Sequence, residues 1–135
     1  MDEERKQFLL DRINACPYNV HTGIYARSVE EGHSVVVADL KPESMNIWNV
    51  PHGGLLFALA DVAAGLSAQS VAGGRIVTVN GNINFLDASL HAKQLRAEGR
   101  VIRSGRTTVF TNVLITDDTG LKIAAGQFVM HRIGE

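Results

Sequence analysis

Leu55-Leu56-Phe57-Ala58-Leu59-Ala60-Asp61-Val62-Ala63-Ala64-Gly65-Leu66 is the stretch from which the fold is read. Ala and Leu dominate it and β-branched residues are scarce, so it favours helix. A helix apolar on nearly every side must be buried on nearly every side. Gly73-Gly74 ends it. The run from Gly53 to Gly74 has about the length of a membrane span. Its Ala- and Gly-rich composition, the polar Ser67, Gln69 and Ser70, the mid-segment Asp61 and the lack of flanking aromatic anchors argue instead for a core helix.

On the C-terminal side the chain changes character. Residues 75–85, 95–103, 107–116 and 121–132 read as four strands, with Val77, Val79, Ile83, Val101, Val109, Val113, Ile115 and Val129 supplying β-branched content. Ser104-Gly105 and Asp117-Asp118-Thr119-Gly120 read as hairpin turns with Gly where positive φ is needed, so the last three strands form an antiparallel meander. On the N-terminal side, residues 2–14 form a short amphipathic helix with Phe8, Leu9 and Ile13 on one side, ended by Pro17. Residues 18–29 are weakly extended, Glu30-Glu31-Gly32 is a turn, 34–40 is a Val-rich strand, and 41–51 is a loop. The fold class is α+β: an antiparallel sheet of five to six strands wrapped around one long apolar helix, with a short N-terminal helix.

The 135 residues suit a single domain, 1–135. Charged residues make up 20% and hydrophobic residues 45%, which excludes disorder. With Lys+Arg 13 against Asp+Glu 14, the net charge is −1, which gives no bulk attraction to nucleic acid or an anionic membrane. Aromatics are 6%, too few for base-stacking platforms. Cys16 is the single cysteine, so no internal disulfide forms, and no Cys/His spacing resembles a zinc site. The acidic start Met1-Asp2-Glu3-Glu4 lacks the pattern of a signal peptide. A cytoplasmic, reducing compartment is the expectation.

Between His52 and Arg75 the sole ionisable side chain is Asp61. Burying a carboxylate without partners costs several kcal/mol, so an Asp kept in the most apolar helix is either a functional group or a structural hydrogen-bond acceptor. His52-Gly53-Gly54 opens the same helix. Glycines let a ligand approach the backbone, and the free N–H groups of a helix start can stabilise an oxyanion. His52 is a candidate general base or a residue tying down its own turn. Asp61 lies eight residues after Gly53, roughly 12 Å along the axis. One helix cannot aim both its first amides and Asp61 at one carbonyl carbon. If the two cooperate, Asp61 of one chain meets Gly53 of another, in a two-fold dimer with neighbouring antiparallel helices.

The pattern Asn46-x5-His52-Gly53-Gly54-x6-Asp61 resembles the signature of hotdog-fold acyl-CoA thioesterases, in their phenylacetate-degradation (PaaI-type) subgroup. The likeness extends over nearly the whole chain. Val77-Thr78-Val79 and Ile83-Asn84-Phe85 match the strand after the helix, and Val101-Ile102-Arg103-Ser104-Gly105-Arg106-Thr107 looks like its hairpin. The resemblance implies the hotdog fold and hydrolysis of an acyl- or aryl-acyl-CoA to the free acid and CoA. It makes Asp61 the nucleophile or general base and the Gly53 amide the donor to the thioester oxygen. Asn46 would orient water or thioester, and Thr78 would hold the water or the carboxylate. Asn49 stands where many relatives have Gly; it tolerates left-handed φ and is a rival to Asn46 for the polar role. Pro51, and Asp87-Ala88-Ser89-Leu90-His91 in place of a Pro/Gly loop, depart from the pattern.

With coenzyme A as part of the substrate, Arg103 and Arg106, assisted by the backbone amide of Gly105 between them, are candidates for its phosphates, ahead of Arg75. Gly54, Phe57 and Trp48 are candidates to line the substrate site. No separate cofactor or metal is expected, because a thioester carbonyl is already electrophilic. The expected partners are an acyl-CoA and further copies of the chain, a dimer at minimum and a tetramer as a dimer of dimers; no nucleic acid and no membrane are expected. The alternative is a non-catalytic acyl-CoA-binding sensor module of the same fold. A hydratase is disfavoured, since Leu66 stands where it would need His.

Overall fold

The computed structural model describes residues 1–134. Helix α1 (Glu3–Ala15) and helix α2 (Pro17–Thr22) lead into strands β1 (Ile24–Glu30) and β2 (His33–Asp39). A short 3-10 turn, Pro42–Ser44, and a loop precede helix α3 (Gly53–Ala72). Strands β3 (Ile76–Phe85), β4 (Gln94–Ser104), β5 (Thr108–Asp117) and β6 (Lys122–Arg132) follow. The six strands form one sheet in the order β1-β2-β4-β5-β6-β3. Every neighbouring pair is antiparallel, and β4-β5-β6 is the expected meander.

α3 is long and apolar enough, by length and composition, to cross a membrane. In this fold it contacts all six strands. Leu59, Ala60, Ala63, Ala64 and Ala68 are fully buried in one cluster with Val36, Leu95, Ile115, Ile123 and Phe128. The small residues let α3 lie close on β4. A Cβ on Gly99 would stand 2.8 Å from Ala63 O and 2.7 Å from Ser67 Oγ, so only glycine fits there. Ser34 Oγ donates to Ala63 O at 2.8 Å and lies 2.7 Å from Ser67 Oγ, which satisfies the polar atoms trapped in this contact.

Three local readings are corrected. Residues 17–22 are helical rather than extended. Pro17 ends α1 and also starts α2, because a proline lacks only an N–H that the first helical turn does not use. Gly23, at φ +79, then closes α2. Gly105 does not adopt positive φ: the β4–β5 turn is closed by Gly105 N–H donating to Thr108 O at 2.8 Å. Gly120, at φ +89, does need glycine. Phe8 is half exposed while Leu9 faces the core, so the apolar side of α1 is narrower than its sequence suggests.

The register of β3 matters most for the site. Thr78 pairs with Met130, but Asn80 pairs with Val129, so Val79 is an extra residue, a β-bulge. A bulge shifts the side-chain parity by one. Ile76 and Thr78 face α3 before it, and Ile83 and Phe85 face α3 after it. Without the bulge, Thr78 and Phe85 would lie on opposite faces of the sheet.

Candidate active site

Two separate hollows flank α3, and each holds part of the residue set singled out by sequence. The first contains Asp61. Thr78 Oγ donates to Asp61 Oδ1 at 2.6 Å. Met130 Sδ lies 3.1 Å from the same hydroxyl, but a carboxylate is the stronger acceptor for its single proton. Asp61 Oδ2 has no partner among the described residues, and Asp61 lines a cavity of about 430 Å³. Leu9, Ile13, Tyr18, Leu66, Ile76 and Met130 are among its walls, so it is largely apolar.

The second hollow, about 320 Å³, holds Gly53 and Asn46 together with Phe85, Asp87 and Ser89. Its groups are set by local hydrogen bonds. His52 Nδ1 accepts from Gly54 N–H at 2.8 Å, capping α3. That engages the Gly54 amide and puts the proton of neutral His52 on Nε2, which leaves His52 no free acceptor nitrogen. The Leu55 and Leu56 amides donate to His52 O. The Gly53 N–H therefore stands alone at the helix start, with no acceptor among the described residues. A Cβ at Gly53 would lie 3.2 Å from Phe85 Cζ, so the close approach of that ring suits glycine.

Asn46 Oδ1 accepts from Trp48 N–H at 2.8 Å and Val50 N–H at 3.3 Å. This fixes the loop and leaves the Asn46 Nδ2 amino group as a donor. Asn49 takes the left-handed turn position at φ +60. The two asparagines thus divide the work: one sets backbone shape, the other presents a polar group.

The loop after β3 is tethered from below. Ser89 Oγ donates to Asp117 Oδ2 at 2.7 Å, and Asp117 Oδ1 accepts from Thr119 N–H, Thr119 Oγ and Leu121 N–H. Burial alone would push the Asp117 carboxyl up, but the hydrogen bonds from Thr119, Ser89 and Leu121 outweigh it and hold it at about 2. These contacts stiffen a segment that has neither Pro nor Gly.

The structure brings Asp61 and Thr78 together in one hollow and Gly53 and Asn46 together in the other. It does not join the two within one chain. Phe57 packs edge-on against Phe128, with ring centroids 5.3 Å apart, over Gly81. Trp48 is 76% exposed on the loop before α3. Arg103, Gly105 and Arg106 lie on the β4–β5 hairpin and border neither hollow. Phe85, Met130 and Asp117 belong to the site or its support and were not singled out by sequence. No sequence signal marked Phe85, because Val77, Val79, Ile83 and Phe85 share one parity and the bulge that separates their faces shows only in the pairing of β3 with β6.

A family model described as the thioesterase superfamily matches residues 49–124, more than half of the sequence. The chain belongs to the thioesterase superfamily. Acyl-coenzyme A thioesterase PaaI of Escherichia coli (strain K12) is 30% identical to it over 112 residues, 83% of this chain and 79% of that protein. The solved structure of the E. coli PaaI protein from the phenylacetic acid degradation operon has a TM-score of 0.86 at 27% identity, covering 97% of this chain and 93% of that one. A hypothetical thioesterase protein with coenzyme A from Streptococcus pneumoniae TIGR4 has a TM-score of 0.76 at 32% identity, covering 83% and 87%. The chain is a hotdog-fold, PaaI-type member of the superfamily and a thioester hydrolase.

Proposed function

We propose that this thioesterase hydrolyses acyl-CoA thioesters at a composite site, with Asp61 from one chain and the Gly53 amide from a second. The observation that carries the reading is the split itself. A carboxylate lines a cavity on one side of α3, and an unengaged helix-start amide lies about 12 Å away along the same axis. A two-fold axis with antiparallel α3 helices superposes the halves in trans. The midpoint of positions 53 and 61 is 57, so that axis passes Phe57, which is partly exposed on its own chain. β3 supports the same arrangement. It is an edge strand with an unpaired side; Val77, Val79 and Phe85 are exposed along it and Leu86 just past its end. Pairing of two such dimers into a tetramer belongs to the proposal as the family likeness implies it, and a cytoplasmic, reducing setting belongs to it on the strength of the single cysteine.

The chemistry needs no cofactor. The Gly53 N–H polarises the thioester oxygen, and Asn46 Nδ2 orients the water or the thioester. Asp61, held by Thr78, either takes a proton from the attacking water or attacks the carbonyl carbon itself. A C–O bond forms as the C–S bond breaks, and the thiolate of CoA leaves. In the nucleophilic variant, water then cleaves the acyl–Asp61 anhydride. The proposed substrates are aryl-acetyl, benzoyl or aliphatic acyl-CoA esters. The relatives support this class: one is an acyl-coenzyme A thioesterase, and another was solved with coenzyme A.

Thiol release from phenylacetyl-, benzoyl-, butyryl-, hexanoyl- and palmitoyl-CoA tests the reading. The wild type is expected to turn over at least one. Asp61→Asn is expected to lose about 10²–10⁴ in rate while folding normally. Wild-type turnover by Asp61→Asn defeats the mechanism. Acyl-CoA that is bound but never cleaved favours the sensor module instead.

A further inference from the structure

We propose that Arg5, Arg12 and Arg75 form the site for the phosphate groups of coenzyme A, a role that rests on the acyl-CoA reading above. These three arginines line one hollow of about 310 Å³ with Gln69 and Gly74. Among the described residues, no carboxylate lines it and none of the three guanidinium groups is in an ion pair. Like charges gathered without a counter-ion repel, and a polyanion relieves that repulsion. Guanidinium suits phosphate because its planar donors make bidentate, charge-assisted bonds.

The arginines are positioned rather than trailing in solvent. The Phe8 ring is flanked by the guanidinium of Arg5 at 5.8 Å and that of Arg12 at 5.5 Å. This gives the half-exposed Phe8 a purpose that core packing does not supply. Arg75 is placed by the sharp turn after α3, where Gly73 and Gly74 adopt φ +61 and +68 and Gln69 Nε2 donates to Gly74 O at 2.7 Å.

Reach decides the ligand. Arg12 and Gln69 line both this hollow and the Asp61 cavity, so the two spaces adjoin. From Asp61 to Ala72, at the end of α3, the helix rises roughly 16 Å. The pantetheine arm between thioester sulfur and first phosphate is about a dozen bonds, which spans roughly 15 Å at the reach per bond of an extended chain. A thioester at Asp61 with its arm along α3 therefore delivers its phosphates to this hollow. Arg103 and Arg106 share no wall with the Asp61 cavity. Within one chain, the geometry favours the arginines of α1 and of the turn after α3 over that hairpin.

The test is calorimetric titration of the intact protein with CoA, pantetheine, ADP and inorganic phosphate. Arg5→Gln/Arg75→Gln is compared with Arg103→Gln/Arg106→Gln, and circular dichroism confirms the fold of each. Arg5→Gln/Arg75→Gln is expected to weaken CoA about 100-fold, close to tenfold per lost charge-assisted bond. Pantetheine affinity should change less than threefold. Phe8→Ala should weaken CoA by a smaller factor in the same direction. CoA binding retained in Arg5→Gln/Arg75→Gln but lost in Arg103→Gln/Arg106→Gln overturns the assignment in favour of the hairpin. ADP or phosphate binding the wild type as tightly as CoA overturns it in favour of a separate anion site, and a wild type that binds no CoA overturns it outright. A loss of CoA affinity in a protein that never releases thiol sustains the phosphate site and refutes only hydrolysis.

Discussion

The two halves of the site are built by different means. The Asp61 half sits on long elements, the middle of α3 and the body of β3, joined by a single 2.6 Å hydrogen bond from Thr78. The Gly53 half sits where loops meet a helix start, and a series of small devices holds it. These are the His52 cap, the Asn46 turn, the left-handed Asn49 and the tether from Ser89 to Asp117. Rigid elements fix a reactive carboxylate within a narrow range, whereas a loop-built half can vary to fit a different acyl group. The difference also predicts how each half fails. Damage to the first should remove turnover with little effect on the fold, and damage to the supports of the second should cost stability and precision together.

The largest expected effect in the first half is that of Asp61→Asn, described above. Next, Gly53→Pro removes one N–H and nothing else of chemical importance. Proline is tolerated at the first helical position, and His52 already has the extended backbone that a following proline requires. Phe85 must yield by a few tenths of an ångström. The expected loss in kcat is about 10²–10³, the value of one oxyanion donor. Steady-state kinetics with the preferred thioester measures it.

Thr78→Val keeps the shape of the β3 residue and deletes the donor to Asp61. About tenfold in kcat is expected, in line with one charge-assisted hydrogen bond of roughly 1.5 kcal/mol. Intact kinetics would mean that the bond between Thr78 and Asp61 is structural only.

The smallest effect on turnover is expected at Asp117, where stability is the readout. Its folded carboxyl, at about 2, lies below its ordinary value of 3.8. A depressed carboxyl stabilises the fold at pH above the ordinary value, and that contribution is lost as pH falls from about 4 through about 2. Asp117→Asn should lower stability at neutral pH by about 1–3 kcal/mol and flatten the acid limb. Chemical denaturation at several pH values reads both.

This comparison also marks what could be read from sequence. The apolar Leu55–Leu66 run and the Val-rich strands reveal the helix and the sheet because burial imposes their periods. Asp61 stands out because a charge in an apolar helix is costly. Eight residues of helix between Gly53 and Asp61 separate the halves by simple rise. What was illegible depends on contacts between distant segments. The Val79 bulge is set by pairing with Met130 and Val129 of β6. The tether from Ser89 joins residues 28 apart in sequence. α2 is not legible because Pro17 can both end one helix and begin another. Gly105 gives no reliable signal, because a glycine in a turn permits positive φ without requiring it.

The central claim is that one site draws on two chains, and subunit mixing tests it directly. Asp61→Asn and Gly53→Pro chains, each inactive alone, are co-refolded or co-expressed. In a mixed dimer one site then carries both defects, while the other combines a native Asp61 with a native Gly53. The account predicts that the mixed dimer recovers about half the wild-type rate per dimer. A mixed dimer, confirmed by mass, that stays as inactive as its parents would place both groups in one chain and contradict the account.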